Sequence, residues 1–473
     1  MTPERWSRDR WFLGVLAGSV LLKLVLAFVV RHDAAILDEA AYLELAQGLA
    51  AGRGFDGTFR PPGYPAFLAI WLWLGAGTLG ARLAQVGLSA VSTIIVYRLG
   101  ARASGIRVAR VAAAVVAFDP VLIAFSHRLW SETLFITVLL LAVDLLVRPW
   151  QERSLARTAA AGVLFGLGAL IRPMLVTALP FLALWLLWEG WLGRREGAGM
   201  QLAGRGLHLG LLAGVMFALI LPWTARNQRT TGTFILIDSN GPFNILVGSQ
   251  PESRFVDKDD LWSDRYGVVD GRAYTELVRE DAARAQAGAM REARANIAAD
   301  PVGFLAKCLW EAGHFWTLDS FLLRHLRNDW YGKGVPGWVT PLVTVLAAGF
   351  FAALALAGLA GLLTALDVPV LRLGLLLLLQ SLFLFGATYA LSRYSVPLRP
   401  FLALGAAFLV AGPVTPGERW RALRGGHRLM TALALALVSL SWVRDLPLLA
   451  DLLRNEGAGH RFRMEQTPPT PGT

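Results

Sequence analysis

Polar and apolar positions in this chain separate into long blocks instead of alternating residue by residue. Predominantly apolar stretches lie at 11–30, 79–99, 111–124, 134–147, 159–171, 175–191, 207–221, 339–366, 373–391, 400–410 and 429–443. In a bilayer every backbone N–H and C=O must be satisfied internally, which leaves helices or closed barrels. Many of these blocks approach twenty residues, where a barrel strand would show about ten residues of alternation, so the pattern selects helices. It predicts an all-α polytopic membrane protein of about eleven transmembrane helices.

Charge fixes the expected orientation. The 473 residues are 55% hydrophobic and 17% charged, with 45 Lys and Arg against 34 Asp and Glu. A net charge of +11 could indicate nucleic acid, but the arginines fall in short loops between apolar blocks. Positive-inside topology explains them, and no nucleic acid is expected as a partner. Arg5, Arg8 and Arg10, then Arg98, Arg102, Arg107 and Arg110, then Arg148, Arg153 and Arg157, then Arg194 and Arg195, and finally Arg419, Arg421, Arg424 and Arg428 mark cytoplasmic loops. Block 11–30 is too long for a signal h-region and is read as a retained first helix, with Lys23 snorkelling to the outer interface. The single cysteine, Cys308, allows no internal disulfide or cysteine-based zinc site and is read as a packing residue.

Four regions follow. Residues 1–222 form an N-terminal transmembrane module whose first outer loop, 31–78, carries two short amphipathic helices: 40–51, ended by Gly52, and 64–74, lying in the interface. Residues 223–336 contain no spanning block and form an outer domain. In it, 274–299 reads as a helix with a Glu280–Arg284 pair and an end at Pro301, and 304–316 lies on the bilayer surface. Residues 337–443 form a C-terminal transmembrane module, and 444–473 a partly disordered tail. An odd number of crossings puts that tail outside, whereas Arg454, Arg461 and Arg463 favour the inside.

On this topology the unusual polar groups collect on the outer side. Asp38, Glu39, Arg60, His127, Glu132, Arg172, Arg226, Arg393 and Tyr394 each fall at an outward helix end or in an outer loop. Adjacent carboxylates at a membrane face are costly unless used, and the Asp38–Glu39 pair can take a proton or hold a divalent cation. Arg60, fixed by Pro61 and Pro62, can present a fork to a phosphate. There is no P-loop, GxGxxG or HExxH, so no bound nucleotide is expected.

The Asp38-Glu39 pair with Tyr42, the Arg60-Pro-Pro-Gly-Tyr-Pro stretch, Ser131-Glu132, the Gly166 to Arg172-Pro173 run, Pro222-Trp-x-x-Arg226-Asn227 and Arg393-Tyr394-x-x-Pro397 occur in an order that resembles the bacterial branch of the GT-C glycosyltransferases. The protein O-mannosyltransferases and the lipid A aminoarabinose transferase are similar in pattern, over roughly residues 10–410. The resemblance implies Asp38 as the catalytic carboxylate, with Glu39 the second letter of its motif. It implies Arg60 as a lipid-phosphate ligand, Arg393 and Tyr394 near the same phosphate, and Glu132 as a metal or acceptor ligand, with Asp119 a substitute. Arg172 is expected to join the phosphate site. Tyr42, Tyr64, His127, Arg226 and Asn227 are expected to line the donor or acceptor cavity, and a divalent ion (Mg, Mn or Zn) is expected on Asp38 and Glu132.

The activity so implied is inverting transfer of a sugar from a polyprenyl monophosphate (undecaprenyl, decaprenyl or dolichyl type) to an acceptor glycan, lipid or protein. It would take place at the outer, periplasmic face of the cytoplasmic membrane, among membrane lipids. The alternative from another class is a transporter or flippase of a lipid-linked sugar, which would favour broken helices at the midplane and repeat symmetry.

Overall fold

The computed structural model describes residues 3–30, 38–148, 154–195, 202–251, 267–327, 331 and 335–454. The tail from Glu456 and Arg153 lie outside them. Helix α1 (Arg10–Val29) is capped by Asp9, whose carboxylate accepts from the Phe12 N–H and also binds Arg110 at 2.9 Å and the Tyr97 hydroxyl at 2.8 Å. That carboxylate fastens one end of α1 to two later helices. Lys23 does not snorkel. It is 1% exposed and donates to Ser19 Oγ, one turn earlier in α1, and to Ser89 Oγ of a later helix at 2.9 and 2.8 Å, hydroxyls nearer than the interface.

The first loop folds as expected into α2 (Asp38–Ala50) and α3 (Gly63–Trp73). Gly52 (φ 71°) adopts the left-handed conformation just past the end of α2. α3 buries Tyr64, Pro65 and Leu68 and exposes Ile70 and Trp73. α4 (Gly77–Ser104) follows, then α5 (Ile106–Phe118) and α6 (Pro120–His127). The block read as one crossing at 111–124 is thus a pair of helices bent by 53°. Pro120 cannot donate a backbone N–H, and Asp119 restarts the helix by accepting from Val121 N and Leu122 N.

α7 (Glu132–Leu146) and α8 (Leu155–Ile171) have only 15 and 17 residues. α8 ends where Arg172 turns extended (φ −142°, ψ 107°) and a 3-10 turn, Pro173–Ala178, leads into α9 (Leu179–Arg195). α10 (Leu202–Thr231) runs through Pro222, where the sequence led us to expect the crossing to stop.

Beyond it come α11 (Asn240–Ser249) and a two-stranded antiparallel hairpin, β1 (Val268–Val269) and β2 (Arg272–Ala273), closed by Asp270 and Gly271 at positive φ. α12 (Tyr274–Glu280) and α13 (Ala282–Ala299) replace the single helix expected over 274–299. Asp281 caps the second by accepting from Arg284 N, and the expected Glu280–Arg284 pair does not form. Arg272 holds Glu280 at 2.7 Å and Arg284 holds Asp270 at 3.1 Å.

α14 (Pro301–His314) turns Val302, Leu305 and Leu309 outward, a face suited to a bilayer surface. On its inner face Glu311 accepts from the Ala390 N–H at 2.8 Å. α15 (Phe321–Arg327), α16 (Val339–Thr364) and α17 (Pro369–Ala387) follow. A 3-10 turn, Ser392–Leu398, then leads into α18 (Arg399–Ala411). α19 (Pro416–Ala422), α20 (Gly425–Ser441) and α21 (Leu446–Arg454) complete the described chain.

Among the described residues eight helices are long and apolar enough to cross a membrane, or nine counting the bent pair as one span; α7 and α8 account for the other two sequence blocks. The chain is a multi-pass, all-α membrane protein. The most enclosed candidate spans are 369–387 and 392–411, and they carry the late arginines to the centre of the bundle.

Candidate active site

Three guanidinium groups from distant parts of the chain meet at one cavity of about 260 Å³. Arg60 comes from the α2–α3 connection, Arg172 from the end of α8 and Arg393 from the 3-10 turn before α18. Arg60 and Arg393 grip the two oxygens of Asp38 from either side, at 2.5 and 2.6 Å. Arg172 and Arg393 share Oε1 of Glu132, at 2.6 and 3.1 Å. Three guanidiniums thus stand against Asp38 and Glu132, in surroundings with little water to screen them, with a further carboxylate, Asp238, on the same cavity wall.

Local sequence explains the convergence. Pro61 and Pro62 restrict the backbone after Arg60, and Gly63 then starts α3 hard against α8. A Cβ on Gly63 would stand 2.9 Å from Ile171 N and 2.9 Å from Leu170 C, so the missing side chain lets Arg60 and Arg172 reach the same chamber. Arg393 is held over the Trp130 ring at 4.3 Å, and the Tyr394 ring stacks on Phe385 at 4.2 Å. Tyr42 lines the cavity one turn after Asp38, its ring edge-on to Tyr64 at 5.1 Å.

Burial pushes the Asp38 carboxyl up, but the adjacent guanidiniums of Arg60 and Arg393 outweigh it and bring it down to about 2. Burial likewise opposes the charge on Arg60, yet Asp38 raises it above the usual arginine value. Asp38 is therefore a firm anion, well placed to organise arginines and poorly placed to accept a proton.

The same contacts decide the metal question. The Arg393 guanidinium sits between Asp38 and Glu132, where a shared cation would have to lie. Among the described residues no three His, Cys, Asp or Glu side chains form a group that could hold an ion. Asp119, the other carboxylate considered, is taken up by Arg399 through both oxygens at 2.9 Å. This donor set does not fit a divalent metal.

Of the residues singled out in the sequence, Asp38, Tyr42, Arg60, Arg172, Arg393 and Tyr394 line the cavity. Glu132 lies just behind it, 0% exposed, with Oε2 unpartnered. The remaining five do not line it. Glu39 points away and accepts from Leu129 N at 2.8 Å, near Arg128, since successive helix residues face different sides. Tyr64 is fully buried and donates to Gln85 Oε1 at 2.6 Å. His127 borders a separate apolar cavity of about 920 Å³ between α1, α6, α15 and α16. Arg226 donates to the Gly57 and Phe55 carbonyls, tying the first loop to α10, and Asn227 donates to Ile235 O and Ile237 O.

Asp238, Asn240 and Asn244 line the cavity without having been expected there. They sit in a polar stretch where such residues are ordinary. The only available signal was their spacing, two and four residues apart at the start of a helix.

Residues 59–224 match the family described as dolichyl-phosphate-mannose-protein mannosyltransferase. The matched segment contains Arg60, Glu132 and Arg172 and agrees with the resemblance read from the motifs. No curated protein matches the sequence. Among solved structures the chain is similar to ArnT from Cupriavidus metallidurans bound to undecaprenyl phosphate. That match has 16% identity and a TM-score of 0.47, covering 95% of this chain and 74% of that one. It is also similar to the archaeal oligosaccharyltransferase AglB from Archaeoglobus fulgidus in complex with an inhibitory peptide and a dolichol-phosphate. That match has 16% identity and a TM-score of 0.47, covering 96% of this chain but 56% of the other. The chain thus spans little more than half the length of AglB.

Proposed function

We propose that this protein is an inverting membrane glycosyltransferase that takes its sugar from a polyprenyl monophosphate and passes it to an acceptor at the outer face of the cytoplasmic membrane. The observation that carries this reading is the convergence of Arg60, Arg172 and Arg393, from distant parts of the chain, on one cavity. The match of residues 59–224 to a family named for a lipid-phosphate sugar donor supports it.

When the sugar–phosphate bond breaks, charge grows on the phosphate oxygens. Donors already fixed in place stabilise it without reorganising. Arg60 and Arg393 have Asp38 as their resting partner, and an incoming phosphate would compete for the same forks. Asp38 keeps the pair in position between turnovers. The arginine-rich loops at the opposite helix ends support a chamber that opens outward. We read 223–336 as the outer domain that shapes the acceptor side. No step is assigned to a metal or a nucleotide.

The test is release of undecaprenyl phosphate from a panel of undecaprenyl phosphate-linked hexoses and pentoses by purified protein. Release, lost on Arg60→Ala, is the expected result. Movement of the intact donor between leaflets without cleavage would replace this reading with transport.

A further inference from the structure

Every carboxylate in the chamber must be matched to a role, and the two nearest the arginines are occupied. Asp38 lies between two guanidiniums and Glu132 is buried under two. An acceptor hydroxyl attacking a sugar still has to lose its proton. A third carboxylate, Asp238, lines the same cavity.

Its placement is built with care. Trp223 Nε1 donates to Ile237 O at 2.9 Å, Thr224 Oγ1 to Leu236 O at 2.6 Å and Asn227 Nδ2 to Ile237 O at 3.0 Å, so α10 fixes the backbone before Asp238. Ser239 N donates to Thr58 O at 2.8 Å and the Tyr274 hydroxyl to Ser239 O at 2.7 Å, which fixes the backbone after it. One Asp238 oxygen accepts from Asn240 N at 3.3 Å, and no ion-pair partner holds the carboxylate among the described residues. Asn240 and Asn244 follow on the same cavity wall; the buried Oδ1 of Asn240 is unpartnered, and Asn244 Oδ1 accepts from the Tyr389 hydroxyl at 2.9 Å. The chamber is thus two-sided: guanidiniums for an anion, and a carboxylate with two carboxamides for hydroxyl groups.

We propose that Asp238 is the catalytic base that takes the proton of the acceptor hydroxyl. The inference rests on the donor reading above. As the acceptor oxygen bonds to the sugar's anomeric carbon, its hydrogen passes to the Asp238 carboxylate. The bond from that carbon to the phosphate oxygen breaks, and its electron pair leaves on polyprenyl phosphate. The proton then goes to water.

The surroundings suit a base that works near neutrality. Burial pushes the Asp238 carboxyl up to about 7, against the opposing pull of the Asn240 N–H and the Arg60 guanidinium. The groups facing it are Arg60 from the first loop and Tyr274 from α12. Asp38, Arg172 and Arg393 share the chamber. Asp38 stays ionised far below neutrality and no histidine lines the cavity, so a rate limb near pH 7 would belong to Asp238.

The experiment measures undecaprenyl phosphate release from the same donor panel between pH 5.5 and 8.5, with octyl glucoside or water supplying the attacking hydroxyl. The rate should rise with pH through about 7, because only the deprotonated carboxylate can accept a proton. Asp238→Asn keeps the turn to Asn240 N but should lower kcat about 100-fold or more, leave the donor KM within about twofold and abolish the limb. Asp238→Glu should restore part of the rate together with a displaced limb. An Asn variant with an unaltered limb, or a Glu variant whose profile coincides with wild type, overturns the proposal. If the wild type releases nothing from any donor, the donor reading fails and this inference with it. If the wild type is active and Asp238→Asn equally so, only the assignment of Asp238 falls.

Discussion

At the scale of single residues, neighbours in sequence part company in space. Asp38 and Glu39 form one motif, yet successive helical residues are turned about 100° apart, and only Asp38 reaches the cavity. Asp38 holds two arginines, so Asp38→Asn removes a charge from both contacts while keeping the side chain's size. The fold should survive and donor turnover should fall about 100-fold or more, read as undecaprenyl phosphate release alongside thermal unfolding. A fully active variant would remove Asp38 from the mechanism. The arginines of the site were legible in the sequence because charge at the end of an apolar block is rare and needs a reason. Asp238 was not, because an aspartate in a polar loop is commonplace and its value comes from three hydrogen bonds that pin its neighbours to α10.

At the scale of elements, helix breaks and close approaches place the charges. Pro120 splits one expected crossing into two helices, whereas Pro222 is carried inside α10 without a stop. The difference lies in the preceding residue: Asp119 can cap a new helix, and Leu221 has no side chain that could. Gly63 shows the reverse case, where a missing side chain brings two elements together. Gly63→Ala should force α3 off α8, lower stability by about 1–3 kcal/mol and reduce turnover by displacing Arg60 from Arg172. Gly87→Ala in α4 meets nothing within 4 Å and serves as the control; it should leave turnover unchanged and stabilise by up to about 1 kcal/mol. Thermal unfolding and the release assay on both variants check the pair.

At the scale of the whole molecule, the proposed topology puts the cavity on one face of the membrane and the short basic loops on the other. A single native cysteine makes this simple to test. In a Cys308→Ala background, Arg53→Cys, beside the first-loop helices, should react with a membrane-impermeant maleimide in intact cells. Arg107→Cys, in the first turn of α5 and exposed, should react only after permeabilisation. The opposite result would invert the topology and the donor side with it.

The sequence by itself determined the solvent, the helical class and the arginines that meet at the cavity. Apolar block length and the scarcity of buried charge are local properties that any bilayer protein must obey. Tertiary structure alone decided which carboxylates are free to act. Whether Asp38, Glu132 or Asp238 meets a guanidinium depends on helices brought together from up to 355 residues apart. Partner and desolvation, which set a carboxylate's proton affinity, exist only once those helices pack.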